Sequence, residues 1–254
     1  MNRMMNTRHQ FSQARRVVVK VGSNVLTLDQ GLNLPVIASI SHEIGHLMSA
    51  GRQVILVSSG AMAAGMRKLQ LPERPSAIPA RQAVAAVGQA GLILAYENAF
   101  DRDGRKVAQI LLTAEDMTNR KRYLNARNTL NTLLEWGVVP IVNENDTVMV
   151  EEIKFGDNDN LAAVIALLMD ADLLINLTDI DGLYNKDPRV YSDAELISTV
   201  STITRETEKL AGDIPGALGT GSMISKIKAA RKVNSAGVPM MIAGGNIPNI
   251  LLKL

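Results

Sequence analysis

The sequence predicts an α/β protein: a three-layer α/β/α sandwich with a mainly parallel central sheet. Three observations point there. Short, continuously apolar runs alternate with segments of helical spacing, the pattern of strands buried on both faces by crossover helices. The runs are rich in β-branched residues and are closed by glycine or polar residues. Polar residues also gather just past the carboxyl ends of the strands, where sheets of this kind place their ligands.

Taken in order, VVVKVG at 17–22 reads as a first buried strand ended by glycine. Residues 35–49 carry Ile37, Ile40, Ile44, Leu47 and Met48 at helical spacing, with Gly51 as a stop. QVILVSSG at 53–60 is a second strand, the Ala-rich stretch 79–100 a helix, and KVAQILLT at 106–113 a third strand. A helix over 122–135 leads into WGVVPIVNEND, a fourth strand that runs out into polar residues. VMVEEIKFG at 148–156 is expected as a hairpin arm. Helix 160–169, strand LLINL at 173–177, helix 222–235 and strand VPMMIA at 238–243 complete the reading. Residues 1–15 are expected to be a basic tail without the apolar core of a secretory signal, a transit peptide being the other reading.

Composition narrows the function classes. Across 254 residues, 46% apolar and 20% charged, a folded chain with a sizeable core is expected. Lys plus Arg number 27 against 25 for Asp plus Glu, and aromatics are 3%; both argue against a nucleic-acid partner. The absence of cysteine removes disulfides, thiolate metal sites and cysteine nucleophiles, and fits a cytoplasmic protein. The longest apolar run, 161–169, is shorter than the roughly 18 residues a membrane span needs, so no membrane partner is expected.

Four segments could carry chemistry. Lys20 sits inside an apolar strand just before Gly22, so it must meet an anion, either a core carboxylate or a phosphate. Ser58-Ser59-Gly60 marks a strand-to-helix turn, readable as a plain cap or as an anion-binding helix N-terminus. GALGTGSMISKIKAARK at 216–232 leads glycines into a helix, where Lys226 lies nearer them than Lys228 does. FGDNDN at 155–160 places Asp157, Asn158, Asp159 and Asn160 ahead of an apolar run; one residue caps the helix and the others are left over. His42 and His46 are one helical turn apart, as on a solvated face, and no zinc-ligand spacing is present. Two lysines at element ends, glycine-rich turns and several carboxylates together suggest phosphoryl transfer, which needs positioning and charge neutralisation, usually with Mg²⁺.

The motifs then add a resemblance. VVVKVGSNVL, ILVSSGAMAAGM, AVAAVGQAGL, YLNAR, VPIVNENDTV, EIKFGDNDNLAA, LTDIDGLYNKDPR and GTGSMISKIKAA follow one another over nearly all of 16–245. Together they resemble the amino acid kinase family, in the branch that phosphorylates the side-chain carboxylate of L-glutamate with ATP. The resemblance implies that Lys20, Lys226 and Asp159 are catalytic, the lysines on ATP phosphates and Asp159 orienting them, with Asp157 in support. It implies ATP contacts at Thr178, Asp179, Thr220, Gly221, Ser222, Met223, Ile224 and Ser225, and glutamate contacts at Ser59, Asp146 and Asn158. Asn160 or a neighbour is left to cap the helix. Glutamate binding is expected in about 16–160 and nucleotide binding in about 161–254. The resemblance further implies proline as an inhibitor and a homodimer or homotetramer.

The sequence departs from the family pattern at Ser222, usually Gly, and at Ser225, usually Thr. The chain also stops at Leu254, short of the small RNA-binding-like domain that many relatives append, so that domain is expected to be absent. The alternatives that remain are a kinase for N-acetylglutamate, aspartate or carbamate, and a catalytically idle amino-acid sensor.

Overall fold

The computed structural model describes residues 11, 13–29, 31–149, 157–212 and 222–253. Six strands form one wholly parallel sheet: β1 (Arg16–Val21), β4 (Gln53–Ser58), β5 (Val107–Leu112), β6 (Val139–Glu144), β7 (Leu173–Thr178) and β8 (Met240–Gly244). Their spatial order is β5-β6-β4-β1-β7-β8, with β1 inside the sheet. A two-stranded hairpin, β2 (Thr27–Leu28) with β3 (Gly31–Leu32), lies apart from it.

Alternation along the strands sorts side chains onto two cores. Val17, Val19 and Val21 of β1, with Val54 and Leu56 of β4, face α2 (Leu34–Ser49) and α4 (Ile78–Asp101). Val18, Ile55, Val57 and Leu174 face the other way, onto α6 (Arg120–Glu135), α7 (Asn158–Leu168) and α9 (Met223–Asn234). The three-layer expectation is thereby met. A smaller cluster of Leu183, Ala211, Met223 and Ile227 joins the segment after β7 to α8 (Arg205–Gly212) and α9. Short helices α1 (Ser23–Leu26), α3 (Ala61–Lys68), α5 (Ala114–Thr118) and α10 (Ile250–Lys253) are the remaining helices among the described residues.

All six main strands expected from sequence are present, with ends moved by a residue or two. The helix expected at 160–169 starts earlier, at Asn158, because Asp157 supplies the cap by accepting from the Asn160 N–H at 2.9 Å. Asn160 is therefore not the cap. The hairpin arm expected at 148–156 lies outside the described residues from Val150 onward. Helix α3 follows the strand-to-helix turn expected at Ser58-Ser59-Gly60, though its extent to Lys68 was not read from sequence. It follows Gly60, whose φ of +101° makes the sharp turn out of β4. Helices α3 and α4 pack backbone to backbone: a Cβ at Gly65 would collide with the Val84 carbonyl, and one at Gly88 with the Ala61 carbonyl.

Helix α4 is, by length and composition, apolar enough to cross a membrane. The core helix of a globular domain passes the same test, and here Leu92, Tyr96 and Phe100 of α4 are buried in the core it shares with α2 and the sheet.

Candidate functional site

The site is built from the face rule. Lys20 occupies the same face of β1 as Val18, so its ammonium group is carried under the N-termini of α7 and α9 rather than into solvent. Asp159 stands in the first turn of α7 and Lys226 in the first turn of α9. The three meet. Lys20 Nζ is 2.5 Å from Asp159 Oδ1, and Lys226 Nζ is 3.4 Å from Asp159 Oδ2. Lys20 and Lys226 are each 2% exposed and Asp159 is fully buried, so these are desolvated charges held by one another. Asn176 Nδ2 donates to Asp159 Oδ1 at 2.7 Å, and Ser225 Oγ donates to Oδ2 at 2.5 Å.

Burial alone would raise the Asp159 pKa. The charges of Lys20 and Lys226, with hydrogen bonds from Lys20 and Ser225, outweigh it and bring the value down to about 2. Lys226 moves the other way from a simple ion pair. Burial, and repulsion from Lys20, lower its pKa despite the attraction of Asp159.

One residue earlier, Asn158 points to the other side. Its Nδ2 donates to the Ser58 carbonyl at 2.9 Å, to Ser59 Oγ at 3.0 Å and to Asn143 Oδ1 at 2.8 Å. Asn143 in turn donates to Gln89 of α4 at 2.8 Å, and Ser58 Oγ bonds the Tyr96 hydroxyl at 3.1 Å. Consecutive residues at one helix start thus divide the space: Asn158 faces the ends of β4 and β6, and Asp159 those of β1 and β7.

Between them lies a cavity of about 420 Å³. Lys20, Gly22, Ser59, Asp146, Asp157, Asn158, Thr178, Asp179 and Lys226 all line it, whereas Asp159, Ser222, Met223, Ile224 and Ser225 are not part of its lining. Asp146 is half-buried; burial raises its pKa, and the opposing pull of Arg74 does not cancel the rise. Asp179 accepts from Asn24 Nδ2 at 3.1 Å and from Thr178 Oγ1 at 3.0 Å. Burial works against these bonds and is outweighed, leaving its pKa below the ordinary carboxylate range.

At the start of α9, Ser222 is the cap and its side chain accepts from the Ser225 N–H. The Met223 side chain belongs to the small core with Leu183, and Ile224 packs beside it; only their backbone sits at the helix start. Thr220 and Gly221 lie outside the described residues. Lys228 is exposed, as are His42 and His46, whose rings sit 4.6 Å apart.

Sequence reasoning passed over Asn176, Asn24, Gln89, Tyr96, Arg74, Arg81 and Gln82, of which Arg74, Arg81, Gln82 and Asn24 line the cavity. Asn176 had a usable signal, being the one polar residue inside LLINL. Arg74 and Arg81 had none, because nothing in their local pattern separates them from surface arginines. Among the described residues no group of three or more His, Cys, Asp or Glu side chains is placed to hold a metal.

The structure is thus an α/β protein in which two buried ammonium groups meet at a cavity beyond the carboxyl ends of parallel strands, the place where such sheets bind ligands. Residues 15–244 match the amino acid kinase family, and the chain belongs to that family. It is 55% identical over 244 residues to a glutamate 5-kinase of Geobacter metallireducens, covering 96% of this chain and 65% of the relative. It is also 55% identical over 239 residues to a glutamate 5-kinase of Meiothermus ruber, covering 94% and 63% respectively. The chain therefore spans somewhat less than two thirds of the length of these relatives.

Among solved structures, isopentenyl phosphate kinase of T. acidophilum in a product complex superposes with a TM-score of 0.63 at 20% identity, covering 92% of each chain. Carbamate kinase from Giardia lamblia bound to AMP-PNP gives 0.63 at 15% identity, covering 92% of this chain and 94% of that one. At such identities the likeness concerns the fold, which is the amino acid kinase fold.

Proposed function

We propose that the protein transfers the γ-phosphoryl group of ATP to the side-chain carboxylate of L-glutamate, giving L-glutamyl 5-phosphate, the opening step of proline synthesis. The observation that carries this reading is the meeting of Lys20 and Lys226 on the two oxygens of Asp159, at a cavity whose other side presents Ser59, Asn158 and Asp146. The names of these two relatives support the same substrate.

In this reading Thr178, Asp179 and the start of α9, Ser222 to Ser225 with Thr220 and Gly221 before it, receive the nucleotide. A helix N-terminus offers free N–H groups and a positive dipole end to phosphate. Asp146 pairs with the substrate ammonium, while Ser59 and Asn158 bond its α-carboxylate. The γ-carboxylate is ionised near neutral pH, so no general base is required. One of its oxygens attacks phosphorus as the bond to the bridging oxygen of ADP breaks and that electron pair leaves with ADP. Lys20 and Lys226 neutralise charge on the moving phosphoryl group, and Asp159 keeps the two ammonium groups from repelling each other apart.

The donor set suits a Mg²⁺ ion that arrives on the nucleotide phosphates rather than one held in a protein cage; when bound it adds further charge neutralisation there. Residues of about 16–160 serve glutamate and those of about 161–254 serve the nucleotide. Proline inhibits by competing for the glutamate side. The protein works in the cytoplasm as a homodimer or homotetramer.

The test is incubation with MgATP, L-glutamate and hydroxylamine. Glutamyl hydroxamate and glutamate-dependent ADP release are expected. ADP release that ignores glutamate but follows N-acetylglutamate, aspartate or carbamate would overturn the substrate assignment.

A further inference from the structure

Asn176 stands in the middle of β7, 1% exposed, in a strand whose other residues are apolar up to Thr178. It is the register partner of Lys20 on the neighbouring parallel strand, and both side chains leave the sheet on the same face. Its Nδ2 donates to Asp159 Oδ1, the oxygen that also receives Lys20. Its own Oδ1 is buried with no hydrogen-bond partner among the described residues. Turning the amide over would set its oxygen against a carboxylate oxygen, so Asp159 fixes its orientation. A half-satisfied amide in a strand interior is a cost to folding.

Building on the phosphotransferase reading above, we propose that Asn176 is a positioning residue of the transfer centre: it holds Asp159 in place while the lysines turn to the phosphoryl group. Each carboxylate oxygen has one charged and one neutral donor, Lys20 with Asn176 on Oδ1, and Lys226 with Ser225 on Oδ2. The ammonium groups must shift their bonds toward the phosphoryl oxygens as charge moves. Asn176 has no such duty and stays on Asp159, whereas the Ser225 hydroxyl also lies 2.7 Å from the Ser222 carbonyl at the helix start assigned to the nucleotide. The carboxylate thus remains anionic and aimed, and the lysines do not have to serve as its anchors.

The experiment compares wild type with Asn176→Leu, which keeps the size and removes both the donor and the orphaned acceptor, and with Asn176→Thr, which returns a hydroxyl donor. Asn176→Leu should lower kcat about 10-fold to 100-fold while KM for MgATP and for the acceptor stays within about 2-fold. Its melting temperature should match or exceed that of wild type, because an unpaired buried acceptor is gone. Asn176→Thr should recover part of the lost kcat.

An unchanged kcat in Asn176→Leu overturns the proposal. So does a fall in kcat that merely tracks a lower melting temperature and is not relieved in Asn176→Thr. If wild type transfers phosphate to another acidic acceptor and not to glutamate, the glutamate reading fails alone and the kcat comparison is made on that acceptor. If wild type turns over none of them, carboxyl NMR of Asp159 decides. Its titration should move to higher pH in Asn176→Leu, and an unmoved titration overturns the proposal.

Discussion

The two sides of the cavity are made differently. On the cation side Lys20, Lys226, Asp159 and Asn176 are nearly or fully buried and bonded to one another. On the opposite side Ser59, Asn158 and Asp146 are half-buried, and Asn158 is held by neutral partners drawn from β4 and β6. In the proposed transfer the first side is pre-organised for the charge of the moving phosphoryl group. The second presents an amide, a hydroxyl and one carboxylate, the groups assigned above to the amino-acid substrate. The single peptide bond between Asn158 and Asp159 thus separates two sets of partners, neutral for Asn158 and cationic for Asp159.

The sharpest way to break this contrast is to remove the shared anion. Asp159→Ala leaves two buried ammonium groups uncompensated and should cost about 3–5 kcal/mol of stability in urea unfolding, with activity lost as well. Lys226→Ala should fold and bind glutamate yet lower kcat by about 10³-fold in an ADP-release assay, because only transition-state charge neutralisation is lost. Asn158→Ala should act on the other side, raising KM for glutamate about 10-fold with a smaller change in kcat, a loss of roughly 1–2 kcal/mol for hydrogen bonds in a part-buried site.

Two pH experiments refine the comparison. The folded pKa of Asp159, about 2, lies below its unfolded value, so its stabilising contribution is complete above the ordinary carboxylate range of roughly 4 and is lost as pH falls toward 2. Acid unfolding followed by circular dichroism should therefore begin at higher pH if this pairing is absent. Asp146 has a raised pKa and must be ionised to hold an ammonium group. KM for glutamate should then climb on the acid side at a pH above that of an exposed carboxylate. In Asp146→Asn this limb should vanish, leaving KM high throughout. Persistence of the limb would remove Asp146 from the ammonium contact.

Much of this was legible in the residues. The six strands announce themselves through runs such as VVVKV and QVILVS, since a strand covered on both faces tolerates almost nothing polar. Two polar exceptions in the central strands, Lys20 and Asn176, both bond Asp159. Lys20 was noticed because a buried charge is hard to explain otherwise, whereas Asn176 was read as part of an apolar strand. The start of α3 was legible at the turn after β4, but its extent was not, because its buried face is made of small residues, Ala61, Ala64 and Gly65, in close backbone contact with α4. The division of labour between Asn158 and Asp159 follows from where α7 begins. That start is set by the Asp157 cap, which local propensity alone places only to within a few residues.

The glycines where α3 meets α4 have a further reach. Ala61, Met62, Ala63 and Met66 of α3 form part of the cavity wall, and the depth at which that wall sits is governed by Gly65 and Gly88, neither of which touches the enclosed space. A single methyl at either glycine would lever the wall away from its bed. The bore of the cavity is thus tunable from behind, by mutations that leave every lining residue unchanged.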